Sequence, residues 1–440
     1  MKFYNRDNEL KELLRIQKLS FDDYSRMTVI TGRRRIGKTS LVLKSVENTP
    51  SVYLFVGRKN EAALCTEFIP IITSSLNTFV PEGIQTFRSL FQYLMELATT
   101  RRFNLVIDEF QEFYNINESV FSDMQNIWDS YRKKTYMNLV ISGSVYSLMN
   151  KIFQNSKEPL FGRADNIIKL FAFNIITLKE IMQDYFPSYT NDDLLAFYTF
   201  TGGIPKYIEL LCDSGSLDVN GMIEFMVREN SSFTEEGKNL LIEELGKNYA
   251  TYFSILSAIS GGINTQPKIE ATLGNKSIGG QLKRLIEDYG LIIRQRPVFS
   301  KEGTQAVRYE IQDNFIRFWF NYFDRNRTLI EIKNFIGLQN IIKNDYPTYS
   351  GRMLERYYRQ KLAESMKYRE IGSWWEPKNE QNEIAIVAIK LETKQALVAE
   401  VKRQQKNFKP SLFDQKIEHI KHKVLSGYKI EKRFFSLDDM

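Results

Sequence analysis

Cysteine and histidine are almost absent from this chain of 440 residues. It contains two cysteines, Cys65 and Cys212, and two histidines, His419 and His422. Two cysteines far apart in sequence cannot supply a disulfide framework or a structural zinc cluster, so we expect the protein to reside in a reducing, intracellular environment. The two histidines have no cysteine near them in sequence, and we interpret them as part of a solvated helix face rather than as metal ligands.

The sequence also lacks a long apolar run. Its longest uncharged stretch, residues 248–267, contains Asn, Thr, Ser, Gln, Gly and Pro, which excludes a membrane span there. The first seven residues lack the apolar core of a signal peptide. Charge is abundant but nearly balanced, with 60 Lys and Arg against 53 Asp and Glu, a net charge of +7. We therefore expect a cytoplasmic protein with no membrane partner, and the charge permits an acidic partner without requiring one.

The order of the apolar runs predicts an α/β protein. Short apolar runs at residues 27–31, 51–56, 104–107 and 138–141 alternate with helical patterns, as in parallel sheets with both faces covered. Helical periodicity then dominates from residue 178 to 245. Two strand candidates follow later, at residues 291–295 and 306–311, and residues 350–440 read as helix, strand, strand, helix. We expect four domains, comprising residues 1–178, 179–240, 241–335 and 336–440.

The strongest motif in the chain is residues 32–39, which match G-x-x-x-x-G-K-S/T between an expected strand and an expected helix. Gly32 and Gly37 let the backbone curl so that its N–H groups point at phosphate oxygens, and the helix N-terminus adds partial positive charge. Lys38 would reach the β- and γ-phosphates, and the Thr39 hydroxyl would ligate Mg²⁺. ATP and Mg²⁺ are the expected cofactors. The predicted nucleotide-binding residues here are Gly32, Arg33, Arg34, Arg35, Ile36, Gly37, Lys38, Thr39 and Ser40.

Polar residues directly follow the third and fourth of the apolar runs. Asp108 and Glu109 follow residues 105–107. Asp108 would hold the Mg²⁺ shell, directly or through water, and Glu109 would orient or deprotonate an attacking water. Ser142 and Ser144 follow the run at residues 138–141, and either hydroxyl could touch the γ-phosphate or the water. The sequence does not choose firmly between the two serines, and Ser142 is the candidate we carry forward.

These segments, in this order, resemble the AAA+ superfamily, and further residues narrow the resemblance to archaeal-type ATPases of the STAND kind. Residues 3–10 are similar to F-x-x-R-x-x-E-L, a signature that implies a place near the adenine for Arg6. Residues 32–39 resemble the G-x-R-R-x-G-K-T variant of the phosphate loop. Residues 159–163 resemble P-L-x-G-R, and residues 202–207 resemble the G-G-x-P-x-Y element of a helical lid. The resemblance implies a P-loop AAA+ parallel-sheet core with a helical lid, and ATP hydrolysis to ADP and phosphate.

Two residues take their expected roles from this resemblance. Arg163 would stabilise charge on the γ-phosphate from a neighbouring subunit, or sense it within the chain, and the alternative is an ordinary surface arginine. Pro205 would contact the base or set the angle of the lid, and it would also suit the start of a helix.

The resemblance extends to the C-terminal half. Residues 309–315 and 318–320 look like the end of the family's winged helix. Residues 350–403 resemble a domain related to the PD-(D/E)xK restriction-endonuclease fold, in which Glu400 and Lys402 match the second half of the motif. Ala385 stands where the family has a metal-binding aspartate. We therefore expect a degenerate nuclease-like site without nuclease activity. Its residues are Glu355, Glu383, Ala385, Glu400 and Lys402.

Three functions are compatible with these features. The first is a nucleotide-controlled ATPase switch, whose partners would be double-stranded DNA, another protein or further copies of the chain. The second is a DNA-binding regulator or inactive-nuclease module whose ATPase only gates access, and the third is an active ATP-gated nuclease.

Overall fold

The computed structural model describes residues 1–246, 249–301, 303–304, 306–376 and 379–440, with only the backbone of residues 379–381. Residue 248, the first of the uncharged stretch, thus lies outside the described residues. The chain forms two compact units, Lys2–Ala172 and Phe173–Met440, the second including Met1. No helix in the described ranges combines the length and hydropathy that crossing a membrane requires. The predicted domain boundaries near 240 and 335 fall inside the second unit and stay predictions.

The first unit contains a five-stranded parallel sheet. Its strands are β1 (Arg26–Thr31), β2 (Ser51–Phe55), β3 (Phe103–Asp108), β4 (Met137–Ser142) and β5 (Asn166–Lys169). They lie in the order β2-β3-β4-β1-β5. Because β3 and β4 are buried along their whole length, their sequences are nearly continuous apolar runs. The four apolar runs that predicted strands are confirmed, and β5 is an additional strand.

Helices cover this sheet. They are α1 (Asp7–Asp22), α2 (Lys38–Val46), α3 (Glu61–Leu76), α4 (Phe87–Leu97), α5 (Phe113–Ile116), α6 (Ser119–Tyr131) and α7 (Tyr146–Gln154). Asn60 and Thr86 cap α3 and α4 by accepting hydrogen bonds from the backbone N–H groups of Ala63 and Ser89. β1 lies between β4 and β5, so the chain leaves β1 toward one side of the sheet and leaves β4 toward the other. In open parallel sheets, ligands bind beside the carboxyl ends of strands at such a reversal.

The second unit begins with helices. They are α8 (Ile175–Tyr185), α9 (Asn191–Thr201), α10 (Pro205–Ser214), α11 (Val219–Met226), α12 (Phe233–Leu245), α13 (Tyr249–Ser260), α14 (Gln266–Thr272) and α15 (Gly279–Glu287). An antiparallel pair follows, β6 (Ile292–Gln295) and β7 (Arg308–Ile311). The chain continues through α16 (Asn314–Trp319), a π-helical turn (Phe320–Asp324) and α17 (Arg327–Glu331). The two predicted strands are therefore present.

The C-terminal part of the second unit is a four-stranded sheet with two helices. Its elements are α18 (Phe335–Glu364), β8 (Tyr368–Glu376), β9 (Asn379–Lys390), β10 (Gln395–Val401), α19 (Pro410–Lys423) and β11 (Lys429–Phe435). The strand order is β11-β10-β9-β8, with β10 and β11 parallel and the other pairs antiparallel. The two predicted strands correspond to β9 and β10, so the structure adds β8 and β11. On α19, His422 is exposed as expected, but His419 lies 3.2 Å from Glu376.

Aromatic packing joins the parts of the second unit. Phe318 of α16 lies 4.6 Å from Phe200 of α9, centroid to centroid, and Tyr346 of α18 lies 5.6 Å from Phe200. Arg403, just beyond β10, donates from both terminal nitrogens to the two carboxylate oxygens of Asp192, each at 2.9 Å. Helix α9 therefore packs directly against segments that come much later in the chain.

Candidate nucleotide site and C-terminal carboxylate cluster

The segment between β1 and α2 turns through backbone conformations that only a few residue types tolerate. Gly32 has φ 152°, and a Cβ there would lie 2.9 Å from the carbonyl oxygen of Leu170. Arg35 (φ 66°) and Gly37 (φ 89°) are both left-handed. Such alternation turns successive N–H groups toward one side and forms an anion-binding concavity. Helix α2 begins at Lys38, directly behind the turn, so its N-terminus adds partial positive charge at the same place.

Lys38 lies across this loop. Its side chain is buried, and Nζ donates to the carbonyl oxygens of Gly32 at 2.9 Å and Arg33 at 3.0 Å. The ammonium is therefore held against the loop by two of its backbone carbonyl oxygens. Of the other predicted loop residues, Ile36 is buried, Arg33 and Arg35 are half-buried, and Arg34, Thr39 and Ser40 are exposed.

Asp108 ends β3 and receives four hydrogen bonds. Oδ2 accepts from the Thr39 hydroxyl at 2.9 Å and from the Tyr53 hydroxyl at 2.6 Å. Oδ1 accepts from the Ser142 hydroxyl and, at 2.9 Å, from the backbone N–H of Glu109. Burial alone would raise the pKa of Asp108, but these donors outweigh it and hold the pKa below its ordinary value. Asp108 is therefore an anion fixed beside the first residues of α2.

Glu109 has its own set of donors. Its backbone is left-handed (φ 53°), which is uncommon outside glycine. Its Oε2 accepts from the Ser144 hydroxyl at 2.6 Å, the Ser144 N–H at 3.3 Å and the Gln111 amide at 2.5 Å. At Gly143, a Cβ would lie 2.3 Å from Gln111 Oε1, so a larger residue there would displace this arrangement. Each serine after β4 thus holds a different carboxylate, Ser142 that of Asp108 and Ser144 that of Glu109.

Arg6 connects the N-terminal segment to the phosphate loop. Its buried guanidinium donates to the carbonyl oxygen of Ile36 at 3.3 Å and to that of Phe171 at 2.7 Å. Burial lowers the pKa of Arg6, and an ion pair with Glu9 at 3.4 Å opposes this. The side chains of Phe3 and Phe171 remain largely exposed. The segment that the sequence associates with the adenine therefore lies beside the loop that it associates with the phosphates.

Arg163 does not lie beside the phosphate loop. It donates to Asp129 Oδ2, near the end of α6, at 3.1 Å. Two residues later, Asp165 accepts a hydrogen bond from the backbone N–H of Met27, at the start of β1. A strand of this length spans about 15–20 Å, so Arg163 lies at the opposite edge of the sheet from the phosphate loop. This position does not favour a sensing role within the chain; the role in a neighbouring subunit stays a proposal, with an ordinary surface arginine as the alternative.

Pro205 occupies the first position of α10, and Ile204 before it is extended. This is the alternative role, at the start of a helix, that the sequence suggested. A proline fits there because the N–H group it lacks would have no partner within the helix. Pro205 belongs to the second unit. Its contact with a base remains a proposal.

Sequence reasoning missed two residues of the site, Tyr53 and Gln111. Tyr53 reaches Asp108 because β2 pairs with β3 in a register that places Phe55 opposite Asp108. The only signal in the sequence is a hydroxyl-bearing aromatic in an otherwise apolar strand. Gln111 lies in the short 3₁₀ turn Phe110–Glu112, where the sequence showed no motif.

The residues at this edge fit a magnesium-bound nucleotide. The observation that carries the fit is a glycine-dependent loop of inward N–H groups next to an ammonium, a hydroxyl and an ionised carboxylate. Thr39 and Asp108 are the oxygen donors that would hold Mg²⁺, which prefers such ligands. When bound, Mg²⁺ neutralises charge that develops on the transferring phosphate.

A second group of carboxylates lies in the C-terminal sheet. Glu400 on β10 forms ion pairs with Lys402 at 2.7 Å and Lys416 at 3.8 Å. Glu383 on β9 forms an ion pair with Arg308 at 2.8 Å, and its carbonyl oxygen accepts from Lys416 at 2.8 Å. Lys416 thus links Glu400 to the backbone of Glu383, and Lys402 pairs with Glu400.

Glu355 of α18 belongs to the same group. Burial raises its pKa, Arg359 and Lys402 lower it, and Glu383 and Glu400 raise it further, so that the pKa lies above its ordinary value. Ala385 is buried and offers no side-chain oxygen. In the described part of the chain, no three His, Cys, Asp or Glu side chains are arranged to hold a metal ion.

Two family models match separate segments of the chain. Residues 3–211 match the family model of an ATPase domain predominantly from Archaea. Residues 319–416 match that of archaeal and bacterial proteins of unknown function. An uncharacterized protein of Methanocaldococcus jannaschii is 31% identical over 409 residues, which cover 91% of this chain and 87% of the relative.

Two solved structures resemble the fold. The Walker-type ATPase of Pyrococcus abyssi is 18% identical with a TM-score of 0.52, covering 72% of this chain and 96% of its own. The ORC2 protein of Aeropyrum pernix, solved in ADPNP–ADP complexes, is 13% identical with a TM-score of 0.52, covering 75% of this chain and 96% of its own. The chain therefore belongs to the same family as the Methanocaldococcus jannaschii protein, and it joins an ATPase domain of a kind found predominantly in Archaea to a C-terminal region of unknown function.

Proposed function

We propose that this ATPase binds ATP with Mg²⁺, hydrolyses it slowly, and acts as a nucleotide-controlled switch. The observation that carries the proposal is the hydrogen bond from Thr39 to Asp108. It joins the phosphate loop after β1 to the carboxylate at the end of β3. The position of this pair at the carboxyl edge of a parallel sheet supports a phosphate site there.

Each residue has a distinct role in this proposal. Lys38 exchanges its two carbonyl partners for phosphate oxygens, and its charge is most effective in a buried site. Asp108, already ionised, would hold the Mg²⁺ shell, directly or through water. Glu109 orients the attacking water, but it must first leave Ser144 and Gln111. This requirement supports a low basal rate. Arg163, partly exposed beside Asp129, would act in a neighbouring copy.

The test compares nucleotide binding with phosphate release. Glu109→Gln should bind ATP normally and lose turnover by about 100-fold or more, the usual contribution of a positioned general base. Lys38→Ala should lose ATP binding in calorimetry. The matched control is Glu118→Gln, an exposed glutamate of the same unit. Wild-type turnover in Glu109→Gln would remove Glu109 from the mechanism, and undiminished ATP binding by Lys38→Ala would refute the phosphate-loop assignment.

We also propose that residues 241–335 form a winged helix that contacts double-stranded DNA. Three helices, α13, α14 and α15, followed by the antiparallel pair of β6 and β7, support this reading. Lys283 and Arg294 are exposed on these elements. Fluorescence anisotropy with duplex DNA should show salt-sensitive binding that differs between ADP and a non-hydrolysable ATP analogue with Mg²⁺. No binding in either state would favour a protein partner instead.

For residues 336–440 we propose a nuclease-like fold without nuclease activity. The approach of Glu355, Glu383, Glu400 and Lys402 supports the resemblance, and Ala385 accounts for the loss of a metal ligand. Ala385→Asp should create a Mn²⁺ site detectable by calorimetry, whereas Ala385→Asn, of nearly equal size, should not. If neither variant binds Mn²⁺ while both remain folded by circular dichroism, the proposal is wrong.

A further inference from the structure

A cavity of about 650 Å³ lies in the second unit, and none of its lining residues is assigned above to the phosphate loop. Its walls come from β6 and β7, from α18 and from β8. This is the usual size of a small-molecule site, which ranges from roughly 300 to 1,000 Å³. The charged residues that line it are Arg294, Arg296, Arg356, Arg359 and Glu310.

The lining carries a strong excess of positive charge. Four arginines face one glutamate, and guanidinium groups do not lose their protons in proteins. Burial would raise the pKa of Glu310, but Arg317, Arg359, Arg356 and Arg308 outweigh it and lower the pKa. Glu310 therefore stays ionised and offsets one positive charge. The remaining cations repel one another, and an anion in the cavity would relieve that repulsion.

The two arginines of α18 are fixed in place by backbone and side-chain oxygens. Arg356 donates to the carbonyl oxygen of Ile311 at 2.7 Å and to that of Gln312. Arg359 donates to the Ser373 hydroxyl and, at 3.4 Å, to the carbonyl oxygen of Ala385. Because a guanidinium has five N–H donors, each retains some for a ligand. Their fixed orientation would lower the entropy cost of binding.

Arg294 on β6 and Arg296, which directly follows that strand, complete the basic wall of the cavity. No hydrogen bond or ion pair joins either side chain to another residue within the described ranges. Trp375 contributes an aromatic wall, and the guanidinium of Arg308 lies 4.6 Å from its ring centroid.

We propose that this cavity binds the phosphate group of a nucleotide-sized ligand, held by Arg294, Arg296, Arg356 and Arg359. Paired arginines match the oxygens of a phosphate, and several of them suit a group with more than one negative charge. The aromatic and amide side chains of Trp375, Gln312 and Gln360 suit a base or sugar attached to that phosphate. The phosphate belongs either to a free mononucleotide or to the end of a nucleic-acid strand.

The test is calorimetry on the full chain with three probes, all in saturating ADP and Mg²⁺ so that the phosphate loop is occupied. The probes are thymidine 5′-monophosphate, thymidine, and a 5′-phosphorylated tetrathymidylate. We expect the two phosphorylated probes to bind and thymidine not to bind. Tighter binding of the tetranucleotide than of the mononucleotide would identify a strand end as the source, and equal binding would identify a free nucleotide. No binding of either phosphorylated probe, or equal binding of thymidine, would overturn the proposal.

Two double variants test whether the phosphorylated probes bind in this cavity. Arg294→Gln with Arg296→Gln should weaken binding of thymidine 5′-monophosphate by about tenfold or more, since two charge-assisted contacts are lost. The matched control is Arg352→Gln with Arg369→Gln, which removes two exposed charges of the same unit outside the cavity. Equal affinity in the cavity variant and the wild type would overturn the proposal. Equal thermal unfolding midpoints in the two variants would show that both remain folded.

Discussion

Asp108 is a buried carboxyl group and Glu355 a half-buried one, and their pKa values shift in opposite directions. Asp108 receives hydrogen bonds from three hydroxyl groups and one backbone N–H, and its pKa is lowered. Glu355 lies near Arg359 and Lys402, but within the described residues no hydrogen bond reaches its carboxyl group, and its pKa is raised. Donors that point at an oxygen therefore do more for a buried carboxylate than cations nearby.

The lowered pKa of Asp108 keeps its carboxylate ionised and able to hold a cation, whereas the raised pKa of Glu355 favours the protonated carboxyl group. At the phosphate loop the negative charge is fixed before any ligand arrives, which is the condition for holding a metal. In the C-terminal sheet, the negative charges of Glu383 and Glu400 act against ionisation of Glu355. Three predictions test this difference, in order of decreasing effect.

The same change made at both sites should have very unequal effects. Asp108→Asn replaces an acceptor by an amide whose NH₂ would face hydroxyl donors, so it should reduce Mg²⁺-dependent ATP turnover by about 100-fold or more. It should also lower the free energy of unfolding by about 2–3 kcal/mol. Glu355→Gln should leave turnover within about twofold of wild type and stability nearly unchanged, because it removes a charge that burial disfavours. Phosphate release and urea unfolding measure both quantities, and equal losses at the two sites would refute the comparison.

The pH dependence of stability should also have opposite signs. The folded-state pKa of Asp108 lies below its unfolded value of about 3.9, so its contribution is complete above that pH and is lost as the pH falls further. The folded-state pKa of Glu355 lies above its unfolded value of about 4.3, so its ionisation begins to cost stability as the pH rises past that point.

Urea unfolding between pH 3 and pH 8 checks these signs. The difference in unfolding free energy between wild type and Asp108→Asn should shrink at the acid end. The difference between wild type and Glu355→Gln should instead become less favourable to wild type as the pH rises from about 4 toward neutrality. Parallel curves for the two variants would contradict the assigned pKa directions.

The smallest effect is expected at Tyr53. Tyr53→Phe removes one of the four donors to Asp108, and a hydrogen bond to a charged group contributes about 1.5–3 kcal/mol to stability. Turnover should therefore fall only a few-fold, and the acid limb of stability should move to slightly higher pH. Tyr93→Phe is a control, because Tyr93 is a partly exposed tyrosine of the same unit that bonds to the carbonyl oxygen of Phe79 instead. A loss as large as that of Asp108→Asn would mean that Tyr53 contacts the nucleotide.

The sequence predicted those parts of the site that are contiguous in the chain. The phosphate loop and the pair Asp108–Glu109 directly follow buried strands, so the apolar runs and the motifs identify both. Tyr53 could not be found in this way, because its contact with Asp108 depends on the register of β2 against β3. The arginine-lined cavity could not be predicted from the sequence for a similar reason, since it is assembled from strands and a helix that are separate in sequence.

The strands that the sequence did not predict are β5, β8 and β11, and all three lie at the edges of their sheets. An edge strand meets water along one side, so it needs no continuous apolar run. β11, with lysines at 429 and 432 and an arginine at 433, shows this clearly. The buried strands β3 and β4, in contrast, were evident from their composition alone.

The pairing of Arg403 with Asp192 has a mechanical consequence. With the aromatic contacts of Phe200, it fastens α9 to α18 and to the end of β10. We therefore expect a movement of α9 to be transmitted through these contacts to the C-terminal sheet. Fragments that end near residue 240 or 335 would lack α18 and Arg403, so aromatic rings that pack against these segments would be exposed to water.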